Sequence, residues 1–152
     1  MSSYAMALWC AGKALGGFMG GFFTFAGVSK TSGAHGLVTI MSEEMQGGFR
    51  SGSFAKIFGV PATLSLPLLY TVGCTEMLAG TTTILGYVFG VVPATYAQWA
   101  SAIAAFITLN ATSAHVVRSD GPAAIQFCAV MCTLFTVLTF VIAAQRGKAK
   151  GA

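Results

Sequence analysis

Four long apolar windows, with most charges confined to their edges and the gaps between them, constrain this chain more than any other feature. They run over residues 8–29, 67–89, 96–117 and 123–144, each close to the roughly 20 residues an α-helix needs to cross a bilayer. The windows are too long for strands and do not alternate. In hydrocarbon, a helix satisfies its backbone polar groups within one segment. Only 8% of the residues are charged, against 55% hydrophobic, whereas a soluble domain carries about 25% charged residues. The expected class is all-α: a single integral membrane domain built as an antiparallel four-helix bundle.

Tight turns are expected at residues 90–93 and 119–122, making the helices they join antiparallel neighbours. The longest polar stretch runs from Lys30 to Lys56. Within it, Leu37, Ile40, Met41 and Met45 share a helical face. A short amphipathic helix at the interface is therefore expected over residues 35–46, followed by a Gly/Ser-rich loop. The N-terminal apolar run is too long for a signal peptide and lacks a clear cleavage site. Four crossings put Lys13, Arg146, Lys148 and Lys150 on one side and Lys30, Arg50, Lys56 and Arg118 on the other. That balance leaves orientation undecided by positive charge. No basic stripe with interleaved aromatics marks a nucleic-acid surface; the expected surroundings are membrane lipids.

The second window holds one charge, Glu76. An acid at mid-bilayer costs ~2.5–3.5 kcal/mol, so Glu76 is expected on an interior face, which Gly73, Gly80 and Thr83 share. It reads either as a proton, ion or quinone site or as a neutral, hydrogen-bonded carboxyl joining helices, with Asn110 and, further toward the Lys30 side, His115 as candidate partners. Lys30, His115, Arg118 and Asp120 are expected together at one interface, as a proton-handling group or a cap for the helix ends. Gly12, Gly16 and Gly20 repeat every four residues, with Gly17 and Gly21 beside them. Such small-residue ridges let helix backbones approach closely, within the bundle or against another subunit. Cys128 and Cys132 share a face, but two thiols fall short of a structural metal site.

Several of these residues form a familiar order. Phe25, Ala26, Gly27 and Lys30 close the first window; Gly73, Glu76 and Gly80 lie in the second; His115, Asp120 and Pro122 end the third. In this the chain resembles the DoxX-like family of small four-helix membrane proteins. It is most similar to the eukaryotic branch, which includes an assembly factor for acetylcholine receptors. The resemblance implies a multi-pass bundle and a role in quinone-coupled sulfur oxidation, in membrane redox complexes or in assembly of other membrane proteins.

Small size, glycine-rich faces and the lack of a complete catalytic set lead to one expectation. It is a non-catalytic accessory or assembly subunit, partnered by other integral subunits of an energy-transducing complex in an organellar inner or thylakoid membrane. The alternative is a membrane subunit of a quinone-linked oxidoreductase, with Glu76 and His115 handling protons. A third is a tetrapyrrole-binding subunit using His115, Asn110 or Glu76 as ligand.

Overall fold

The computed structural model describes residues 3–31, 59 and 61–150, and those residues build a helical protein. Helix α1 is Ser3–Thr31, α2 is Ser65–Thr83, α3 is Ala94–Val117 and α4 is Pro122–Lys150. A short 3₁₀ turn, Ala62–Leu64, leads into α2, and a π-helical turn, Ile84–Val88, ends it. The interfacial helix expected over residues 35–46 lies outside the described residues, as does the loop after it. Helices α3 and α4 are long and apolar enough to cross a membrane.

The helices follow the apolar windows closely, except at the second. There, α2 gives way to the π-helical turn before the window ends. Gly86 in that turn lies against α3, where an added Cβ would come within 3.0 Å of the Ala97 Cβ. The chain then reverses at Gly90, whose φ of +69° is readily open to glycine.

Interhelical contacts give the directions. On α3 and α4, Ser101 Oγ and Thr139 Oγ1 lie 2.7 Å apart, and Cys132 Sγ meets the Ala105 carbonyl at 3.5 Å. Arg146 reaches Gln98 at the end of the same pair. As α3 ascends in number α4 descends, so the two are antiparallel. Phe22 and Phe23 of α1 pack edge-to-face on Phe127 and Phe135 of α4, with centroids 5.5 and 4.8 Å apart. Packing of α2 on α3 closes the ring of four helices.

The main core gathers Met19, Phe23, Ala79, Tyr87, Met131, Phe135, Leu138 and Ile142 around a run of small residues on α3, Ala97, Ala100 and Ala104. A smaller cluster forms around Leu69 and Ala114 at the other end. Hydroxyls inside the apolar windows turn back onto their own helices. Thr24, Thr83, Thr108, Thr133, Thr136 and Thr139 each donate to the carbonyl four residues earlier, at 2.8–2.9 Å. A segment rich in threonine therefore presents few unmet polar groups.

Candidate functional site

The α1–α2 seam positions the central polar group. Gly20 lies against Gly80, and Gly27 against Gly73. A Cβ on Gly20 would come within 2.8 Å of the Gly80 carbonyl oxygen, and one on Gly73 within 3.0 Å of the Gly27 carbonyl oxygen. The two glycine pairs are seven residues apart on each helix and run in opposite directions, so α1 and α2 are antiparallel and meet backbone to backbone. The glycine ridge of α1 is divided in its task. Gly20 meets backbone, whereas Gly12 and Gly16 make room for the Tyr87 side chain. Gly21 opens onto unfilled space, and Gly17 touches only Val88, at 3.9 Å.

This close approach joins Lys30 to Glu76. The Lys30 ammonium donates to Glu76 Oε2 at 2.7 Å and to Oε1 at 3.0 Å. Both side chains are buried, at 11% and 6% exposure. Local geometry explains the meeting. Side chains on a helix lean toward its N-terminus, so on antiparallel helices Lys30 leans back into the bundle while Glu76 leans out toward it. The lysine stem passes over Gly73, where a Cβ would stand 3.0 Å from the Lys30 Cβ. Gly73 thus clears the path by which the ammonium reaches the acid.

This arrangement corrects one expectation and sharpens another. Asn110 is not the partner of Glu76: its side-chain amide donates to the Phe106 carbonyl at 2.8 Å, on its own helix. An amide on a helix finds its own i−4 carbonyl without crossing a gap. Lys30, expected at one interface with His115, Arg118 and Asp120, lies in the last turn of α1 and binds the glutamate. The other three do meet, around the α3–α4 turn: His115 Nδ1 and Arg118 Nη1 lie 2.7 and 3.4 Å from Asp120 Oδ2. The Lys30–Glu76 pairing had a sequence signal in the matched spacings Gly27-x-x-Lys30 and Gly73-x-x-Glu76. Seeing it required knowing that Gly27 packs on Gly73.

Lys13 forms a second interhelical link. It was expected as a charge near the membrane edge. Its ammonium donates to the backbone carbonyls of Tyr87 and, at 3.3 Å, Val88, where the π-helical turn ends. It also lies over the rings of Trp9 and Tyr87, 5.2 and 4.9 Å from their centroids. A cation from α1 thus caps the C-terminal carbonyls after α2, the end of a helix that favours positive charge. Lys13→Met keeps the stem but removes the cap and the ring contacts. It is expected to destabilise the protein by about 1–2 kcal/mol, read as a lowered thermal midpoint in detergent; an unchanged midpoint would exclude this role.

Chemically, the buried ion pair is a cross-link between two helices. Its acceptor oxygens are both engaged by one ammonium, which leaves the carboxylate committed to the seam. Among the described residues, no group of three or more His, Cys, Asp or Glu side chains is placed to hold a metal ion. Compared with family models, characterised proteins and solved structures, the chain shows no match.

Proposed function

We propose that this chain crosses the bilayer four times and serves as a non-catalytic accessory or assembly subunit of a larger membrane complex. The observation that carries the reading is the division between inside and outside. Large apolar side chains face outward on every helix, with Phe18 at 63%, Leu78 at 70%, Phe106 at 67% and Phe140 at 69% exposure. Soluble monomers rarely expose so much contiguous apolar surface, whereas lipid and neighbouring subunits cover it. Inside, by contrast, Glu76 is taken up by Lys30, and at the α3–α4 turn Asp120 is taken up by His115 and Arg118.

The ends of the bundle support the same reading. Trp9, Phe89, Tyr96 and Trp99 are exposed at the end where α1 and α3 begin, as in the aromatic belt of a membrane interface. Lys13 and Lys30 lie about 25 Å apart along α1 at 1.5 Å per residue, close to the roughly 30 Å of a hydrocarbon core. The resemblance to DoxX-like proteins is part of the proposal. Its support is that the lysine, glutamate and glycines that carry it, Lys30, Glu76, Gly73 and Gly80, all fall on one helix pair.

The test is isolation of the tagged chain from its native membrane in a mild detergent such as digitonin. Co-migration with other integral subunits, far above the 15.6 kDa of the chain alone, is expected. A lone monomer in particles that retain native lipid would contradict it.

A further inference from the structure

We propose that Arg146 and Gln98 form a site for the phosphate of an anionic phospholipid headgroup, in the groove between α3 and α4. This rests on the reading of the bundle as membrane-embedded, though not on its accessory role. The groove is shallow and open, about 230 Å³, and is lined by Gln98, Ala143, Arg146 and Gly147. That is smaller than the ~300–1,000 Å³ sites that enclose whole drug-sized ligands. It suits a headgroup whose acyl chains lie outside, along the apolar flank where Phe140 is exposed.

The chemistry of the lining is donor-rich. Arg146 Nη1 donates to Gln98 Oε1, which holds the guanidinium in place and uses one of its five N–H groups. Gln98, which lines the groove, also carries two amide N–H donors. Lys30 and Arg118 each have a carboxylate partner. The hydrogen-bond partner of Arg146 among the described residues is this neutral amide, so its positive charge is not offset there. Arg146 is planar and multidentate, which matches phosphate oxygens better than an ammonium does. Ala143 and Gly147 keep the approach clear; a Cβ on Gly147 would meet nothing within 4 Å. The site lies at the aromatic end of the bundle, level with the first turns of α3 that carry Tyr96 and Trp99, the depth at which headgroups are found.

The experiment uses the full chain, purified in detergent and mixed with phosphatidylglycerol or phosphatidylcholine, with bound lipid counted by native mass spectrometry. Preferential retention of phosphatidylglycerol is expected. Arg146→Gln should reduce that preference by about fivefold or more, the worth of one basic residue near an anionic surface. Gln98→Ala keeps the charge but frees the guanidinium, and should weaken retention by a smaller factor; it also serves if Arg146→Gln fails to fold. Arg118→Gln, at the opposite end, should leave retention unchanged. Equal retention of the two lipids, an Arg146→Gln variant or its Gln98→Ala substitute that retains lipid like the parent, or an equal loss in Arg118→Gln would each overturn the proposal. So would displacement of the lipid by millimolar inorganic phosphate, which would make free phosphate the ligand. Extraction of membranes at alkaline pH separates the two possible failures. A chain that stays in the membrane but shows no lipid preference contradicts this site alone; a chain that washes off contradicts the membrane reading as well.

Discussion

Gly80→Ala is expected to destabilise the bundle severely, while the same change at Gly21 is expected to be harmless or mildly stabilising. A Cβ on Gly80 would stand 2.5 Å from both the Gly20 carbonyl oxygen and the Thr24 amide nitrogen. Those are backbone atoms of α1, which cannot rotate aside as a side chain can, so the two helices must separate. Overpacking of this kind costs about 1–3 kcal/mol. At Gly21 a new Cβ meets nothing within 4 Å, and alanine gains up to about 1 kcal/mol over glycine from helix propensity. The propensity gain is common to both sites, so the two substitutions should differ by about 1–3 kcal/mol. Unfolding titrations in detergent read this directly; equal midpoints for the two variants would show that α1 and α2 do not meet through their glycines. Gly16→Ala should fall between them, because its obstruction is the movable ring of Tyr87.

The ion pair gives the second large effect. Glu76→Ala removes the carboxylate that both engages and neutralises the Lys30 ammonium at 11% exposure. Breaking a buried pair by deleting one partner costs about 3–5 kcal/mol. Against a total stability of about 5–15 kcal/mol, that is a large share. Replacing both residues with apolar ones of similar size, Lys30→Met with Glu76→Leu, should recover most of the loss. The double-mutant cycle thus distinguishes a structural cross-link from a site whose chemistry needs the charges. A single Glu76→Ala variant as stable as the parent, or a double variant no better than the single, would contradict the structural role.

The sequence made the helices legible because burial in lipid and burial in a core ask for the same residue types, and the windows were long. It also made Glu76, Lys30 and the glycines stand out, since each breaks the pattern of its own helix. Their pairing was less legible. Asn110 seemed the natural partner for Glu76 because both fall inside apolar windows, yet a helical asparagine can satisfy itself at its own i−4 carbonyl, as the 2.8 Å bond to Phe106 shows. Lys30 was expected at the end of the bundle, because its Cα is in the last turn of α1. Its long stem and the backward lean of helical side chains carry the charge a full turn inward. The cap that Lys13 places on the Tyr87 carbonyl depends equally on interhelical register, since α1 must bring Lys13 level with the π-helical turn that presents that carbonyl. Single-helix patterns reveal which residues are anomalous; the register between helices decides what each anomaly does.

Four crossings are the central claim, and α1 with α2 is the pair that decides it. Single cysteines placed at Ser3, Pro61, Val91 and Gly121, in a chain whose four native cysteines are replaced, can be labelled from either side of a sealed membrane with an impermeant maleimide. Four crossings predict that Ser3 and Val91 react on one side and Pro61 and Gly121 on the other. If Pro61 instead reacts on the same side as Ser3 and Val91, α1 and α2 do not traverse the bilayer, and the four-span bundle is wrong.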